Sequence, residues 1–213
     1  MRDLEFEKRL AAEAAAELVE DGMRVGLGTG TTVGYLLPAL AARGLSLRCV
    51  ATSLRTEDEA RSLGLAVESF TGLSRLDIAI DGADQVAPDR WLVKGGGGAH
   101  TREKIVAAAS DRFVVIVSSD KLVEAIAPPI PLELLAYGID ATLARLGTAE
   151  LREAAPSPDG GLIADYLGPV DDPARLAARL AATPGVVEHG LFPAELVSDV
   201  IVGRGQRAEH VDA

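Results

Sequence analysis

The stretch DGADQVAPDRWLVKGGGGAHTREK, residues 81–104, holds two aspartates, a lysine, four successive glycines and a glutamate. Glycine loses more backbone entropy on folding than any other residue, so four in a row imply a backbone that must stay uncovered. Asp81 and Asp84 follow the apolar run LDIAI and can exchange protons. Lys94 can face a developing negative charge, and Glu103 falls in the first turn of a helix expected from Thr101. Taken singly, the aspartates and the glutamate have plainer readings: an Asp-Gly turn, and an acid on a helix N-terminus.

Two more stretches could serve the same chemistry. In GLGTGTT, residues 26–32, Thr29, Gly30, Thr31 and Thr32 stand between an expected strand and an expected helix, where backbone N–H groups and hydroxyls suit an anion. The dinucleotide fingerprint G-x-G-x-x-G fails there, because Thr31 occupies the third glycine's place, and KGGGGAHTREK lacks the G-K-[ST] of a P-loop. SSDK supplies Lys121 at the end of the β-branched run RFVVIV. His100, His189 and His210 are too scattered to form a ligand set with the aspartates, so neither metal nor redox cofactor is expected. Together these groups can hold a sugar phosphate and move protons. An aldose-ketose isomerisation needs that equipment: a carboxylate between adjacent carbons, donors for an enediolate oxygen, and acid/base help in opening the ring.

The elements that must position them alternate. LEFEKRLAAEAAAELV reads as an amphipathic helix, MRVGLG as a strand, TTVGYLLPALAAR as a helix and LSLRCVAT as a strand. RTEDEARSL follows as a helix, LAVESF and LDIAID as strands, TREKIVAAAS as a helix and RFVVIVSS as a buried strand. The order predicts an α/β fold, a Rossmann-like mostly parallel sheet covered by helices. Three prolines within residues 128–131 mark a change, after which shorter elements suggest a smaller α+β domain. The expected division is 1–127 plus 196–213 for the α/β domain and 128–195 for the small one. The tail QRAEHVDA is expected to fray.

Composition narrows the partners. With 21 Lys+Arg against 32 Asp+Glu, the net charge of −11 argues against a broad nucleic-acid or anionic-membrane surface. The chain has a single cysteine, Cys49, read as a small core residue. Its start lacks a signal peptide's apolar core, and no run approaches membrane-spanning length, so a cytoplasmic protein is expected.

The motifs GLGTGTT, TSLRTEDEARSLGL, DIAIDGADQV, KGGGGAHTREKIVA, SSDKLV, PIPLEL and PGVVEHGLF occur in the order and spacing of ribose-5-phosphate isomerase, type A. The chain resembles that family from its first helix nearly to its C-terminus. The resemblance implies interconversion of ribose 5-phosphate and ribulose 5-phosphate without a cofactor, by a homodimer or homotetramer. It places the proton-transferring glutamate on Glu103, the oxyanion-stabilising lysine on Lys94 and the ring-opening aspartates on Asp81 and Asp84. It places substrate-holding positions on Thr29 to Thr32, on Gly82 and Ala83 between the aspartates, on Gly95, Gly96 and Gly97, on Lys121 and on Lys8. Two departures stand out: Thr31 replaces a usual serine, and PSPDGGLIADY replaces a usual Thr-Asp-Asn-Gly-Asn hairpin. A sugar-phosphate deaminase on a related fold is the nearest rival, and the pairing of DGAD with KGGGGAHTREK favours the isomerase. A non-catalytic sugar-phosphate sensor would not need Glu103 and would usually carry a DNA-binding segment, for which this acidic chain offers no candidate.

Overall fold

The computed structural model describes residues 3–211. Up to Ala83 the chain forms α1 (Leu4–Ala16), β1 (Arg24–Leu27), α2 (Thr31–Ala42), β2 (Arg48–Ala51), α3 (Leu54–Ser62) and β3 (Ile78–Asp81). Next come β4 (Gln85–Val86), β5 (Leu92–Val93), α4 (His100–Ala108) and β6 (Phe113–Ser118). From Val123 to Ala194 it forms β7 (Ile130–Leu134), α5 (Ile139–Leu146), β8 (Ala149–Leu151), β9 (Leu162–Tyr166), α6 (Pro173–Ala181), β10 (Val186–His189) and β11 (Leu191–Phe192). It ends with β12 (Asp199–Arg204) and β13 (Arg207–Val211).

By packing, the chain divides into two units. The first takes the chain up to Ala83, Arg102–Leu122, and the chain from Glu195 onward. Its sheet runs β13-β12-β6-β3-β1-β2, parallel throughout except for the β12–β13 hairpin. β6 is buried at all six positions, as a strand covered on both faces must be. Val25 and Leu27 join α1 and α2 in one apolar cluster, while a Cβ on the intervening Gly26 would meet Val106 of α4 at 2.4 Å. Alternation along β1 thus sends its side chains to helices on opposite faces. α1 begins at Asp3, whose side chain accepts from Phe6 N–H at 3.1 Å, and it buries Ala11, Ala12, Ala15 and Ala16.

Cys49 is fully buried in this cluster, and burial pushes its thiol up to about 11. LAVESF does not form a regular strand. It touches β2 through a single bridge, Cys49 with Val67, before turning away near Gly72, whose φ is +87°. The tail differs from expectation too: Arg207–Val211 pairs along β12, and its exposed Arg207 and its Glu209 blunt the open edge. Asp212 and Ala213 lie outside the described residues.

The second unit comprises Asp84–Thr101 and Val123–Ala194. It holds an antiparallel sheet, β10-β7-β9-β8, and a three-stranded sheet, β11-β5-β4. Ile130, Leu132 and Leu134 of β7, Leu146 of α5, and Leu176 and Leu180 of α6 share its core. Asp84–Thr101 packs here because β5 pairs with β11 and β4, whereas the sequence reading carried that excursion with the α/β unit.

Candidate active site

In the first unit the parallel sheet lines candidates along one edge. Leu27 lies opposite Ala51 and Ile80, and Asp81 opposite Val115, so the carboxyl ends of β2, β1, β3 and β6 lie together. The chain fills the sheet from β1 to β2 on one side and to β3 and β6 on the other. A reversal of this kind opens a ligand crevice at the strand ends.

Asp81 and the threonine loop form one hydrogen-bonded device there. Thr29 N–H donates to Asp81 Oδ1 at 3.0 Å, and Gly82 N–H donates to the same oxygen at 2.7 Å. Asp81 is 3% exposed, and a Cβ on Gly28 would fall 1.9 Å from its Cγ. The loop's other side is held by hydroxyls: Thr29 Oγ1 lies 2.8 Å from Thr52 Oγ1, and Thr56 Oγ1 donates to Gly28 O at 3.0 Å. Gly30, with φ +124°, then turns the chain into α2, whose first turn begins at Thr31 and Thr32 with no side-chain cap on its N–H groups. Helix-start amides of this kind are suited to a phosphate.

The lysines are placed by a buried acid. Glu7 of α1 is 2% exposed; its Oε2 accepts from Ser119 N–H at 2.9 Å and Ser119 Oγ–H at 2.7 Å, and its Oε1 from Gly205 N–H at 2.9 Å. Glu7 thereby ties the helix that carries Lys8 to the short 3₁₀ turn Ser119–Lys121 after β6. Lys8 Nζ pairs with Glu5 Oε1 at 2.7 Å, and Lys121 Nζ lies 3.7 Å from Asp120 Oδ2. Pairs near the surface contribute little and can be exchanged for a ligand.

The second unit holds the glycine stretch. Lys94 follows β5 and is 3% exposed; its backbone N–H donates to Gly190 O at 2.9 Å, and its ammonium stands 5.6 Å from the centre of the buried Phe192 ring. Gly95 has φ +106°, and a Cβ there would lie 2.6 Å from His100 Nδ1, so only glycine fits. Asp84 is exposed, and its Oδ2 accepts from Gly96 N–H at 2.8 Å. Gly97 is exposed as well. Thr101 in α4 donates its hydroxyl to the buried Glu133. Glu103, 4% exposed, sits in the first turn of that helix as expected and is counted with the first unit, which resumes at Arg102.

The structure joins Thr29, Asp81 and Gly82 in one hydrogen-bonded set, and Asp84 with Gly96 in another. Ala83, half-buried, links the aspartates along the chain. Sequence reasoning missed Glu7, Thr52, Glu133 and Arg152, which hold these groups from behind. Glu7 looks like any helical surface acid beside Lys8, and Arg152 belongs to none of the motifs, so only strand register could have found it.

The family model for Ribose 5-phosphate isomerase A (phosphoriboisomerase A) matches residues 48–207. The chain is 40% identical over 225 residues to Ribose-5-phosphate isomerase A of Gluconobacter oxydans, covering 98% of this chain and 97% of that protein. Its fold is similar to ribose 5 phosphate isomerase A from Neisseria gonorrhoeae, with a TM-score of 0.92, 33% identity and coverage of 96% and 95%. It is also similar to a D-Ribose-5-Phosphate Isomerase solved in complex with phospho-erythronic acid, with a TM-score of 0.94, 32% identity and full coverage of both chains. A family model matched over residues 48–207 and a relative 40% identical over almost the whole of both chains show that this chain belongs to the ribose 5-phosphate isomerase A family.

Proposed function

We infer that this protein interconverts D-ribose 5-phosphate and D-ribulose 5-phosphate through an enediolate, in the non-oxidative pentose phosphate pathway. The observation that carries the reading is similarity over the whole chain to an isomerase that binds phospho-erythronic acid, a sugar-acid phosphate. In the open-chain aldose, the Glu103 carboxylate takes the proton from C2 as negative charge moves to the C1 oxygen. The same carboxyl returns the proton to C1, and the O2 hydroxyl proton passes to O1, which leaves the ketose. Lys94 stabilises the oxyanion, and its burial makes that charge count for more than it would in water. Asp84 and Asp81 assist ring opening. Oδ1 of Asp81 also holds Thr29 and Gly82, so this residue orders the phosphate loop at the same time. Thr29, Gly30, Thr31 and Thr32 with Lys121 and Lys8 take the phosphate, and Gly82, Ala83, Gly95, Gly96 and Gly97 line the sugar.

The protein acts as a homo-oligomer, dimer or tetramer, in the cytoplasm. Exposed Leu135, Tyr137 and Val187 around the β10 edge support self-association, and the lone, buried, free Cys49 suits a reducing compartment. The activity is tested by adding ribose 5-phosphate to purified protein and following the ketose. Glu103→Gln keeps the shape but removes the base, so kcat should fall by about 10²–10⁴-fold while substrate still binds. Near-normal turnover by a folded Glu103→Gln protein would move the search for the base to Asp81 or Asp84.

A further inference from the structure

We propose that Arg152, braced by Asp165, is a positioning residue that sets the direction of the backbone N–H groups in the glycine stretch after Lys94. The proposal rests on the isomerase reading for its consequence in catalysis, but its geometry stands independently.

Arg152 follows β8 directly, and its N–H donates to Ile163 O of β9 at 2.9 Å. Register brings Glu150 opposite Asp165 and Leu151 opposite Ala164, which places Arg152 beside Asp165 despite thirteen residues of separation. The guanidinium meets both carboxylate oxygens, Nε to Oδ2 and Nη2 to Oδ1, each at 2.6 Å. Both side chains are about four-fifths covered, at 21% and 20% exposure. A two-point fork of this kind fixes the plane of the guanidinium, which a lysine ammonium cannot reproduce.

The remaining arm is aimed at the glycines. Nη1 donates to Gly95 O at 3.0 Å and to Gly96 O at 3.2 Å. In a trans peptide the C=O and the following N–H point in opposite directions. Drawing Gly95 O toward Arg152 therefore turns Gly96 N–H away from it, and that N–H donates to Asp84 Oδ2 at 2.8 Å. Drawing Gly96 O the same way turns Gly97 N–H outward at an exposed position, as a donor for an anionic oxygen. The guanidinium is held above its usual range first by Asp165, and Asp84 adds to the effect, in keeping with a charge close to both carboxylates. The β8–β9 hairpin is thus the support on which the glycine stretch is hung.

The test uses Arg152→Lys, Arg152→Ala and Asp165→Asn, with melting temperature as the check on folding. Two ligands separate positioning from general damage: inorganic phosphate, which needs only the phosphate loop, and phospho-erythronic acid, whose carboxylate presents two oxygens much as an enediolate does. In Arg152→Lys, kcat and phospho-erythronic acid affinity should each fall about ten-fold or more, the scale of a charge-assisted hydrogen bond. KM and phosphate affinity should stay within about two-fold, on the view that interactions made only with the developing charge leave ground-state binding unchanged. Asp165→Asn should move the same quantities in the same direction by less. Amide NMR signals of Gly96 and Gly97 should shift in both variants whatever the substrate proves to be, which keeps this proposal separate from the identity of the reaction. Unmoved glycine signals, or equal losses for both ligands in a folded variant, would overturn it. If Arg152→Ala fails to fold, the Lys and Asn variants decide.

Discussion

Gly28→Ala probes the loop at its tightest point. The new Cβ would lie 1.9 Å from Asp81 Cγ, 2.0 Å from Oδ1 and 2.5 Å from Cβ. The carboxylate cannot swing aside freely, because Oδ1 holds Thr29 N–H at 3.0 Å and Gly82 N–H at 2.7 Å. Overpacking a buried site costs about 1–3 kcal/mol, and losing a hydrogen bond to a charged group costs about 1.5–3 kcal/mol, so the two together reach roughly 2.5–6 kcal/mol. At about 2–4 °C per kcal/mol for a chain of this size, the melting temperature should drop by roughly 5–24 °C. Phosphate affinity should fall with it. A double-mutant cycle identifies the cause. Asp81→Ala leaves the 2.5 Å clash with Cβ in place, whereas Asp81→Gly clears it. Adding Gly28→Ala should therefore be costly in the Asp81→Ala background and cheap in the Asp81→Gly background. Equal costs in the two backgrounds, or a Gly28→Ala protein as stable and as active as the parent, would refute the reasoning.

Further expectations can be checked by ordinary enzymology and calorimetry. Lys121→Ala should raise KM for ribose 5-phosphate about ten- to a hundred-fold, the loss of one charge-assisted bond, and an unchanged KM would remove Lys121 from the phosphate site. Exhaustive chelation should leave activity intact, whereas loss of activity restored by one divalent ion would mean that Asp81 and Asp84 act as ligands. Asp77 is held down to about 2 by hydrogen bonds from the Arg24 side chain and backbone N–H. A carboxylate lowered on folding adds stability above its unfolded pKa and loses it as pH falls toward the folded one. Asp77→Asn should thus lower the melting temperature at pH 7, and the deficit should shrink between about pH 4 and pH 2; a deficit independent of pH would exclude the ion pair as its source.

What the sequence disclosed follows from where the physics is local. β1 and α2 were legible because residues 25–27 form a short apolar run, the glycines break it, and an apolar helical pattern resumes at Thr31. The placing of Glu103 in a first helical turn was legible because helix-forming residues resume directly after the glycines. LAVESF carried a strand's composition but makes only one bridge, since pairing is decided by the neighbour and not by propensity. The tail read as frayed because it is polar, yet an edge strand is the place where charge is wanted. Arg152 and Glu7 were invisible for the same reason: their partners lie across a register or a tertiary fold, at Gly95 and Gly96 for one and at Ser119 and Gly205 for the other. Asp81 could be named as a candidate, but its part in ordering Thr29 could not, because sequence spacing is blind to a contact fifty-two residues long.

The most direct test of the central claim is the fate of the hydrogen on C2 when ribose 5-phosphate is converted in deuterium oxide. If Glu103 carries that proton through an enediolate, the bound intermediate exchanges with solvent in a fraction of turnovers. The ribulose 5-phosphate should then contain deuterium bound to C1, detectable by NMR or mass spectrometry, and the label should appear at a correspondingly reduced rate with Glu103→Gln. Ketose formed at full rate with no carbon-bound deuterium, and equally fast by the Glu103→Gln protein, would point to a hydride shift and contradict the account.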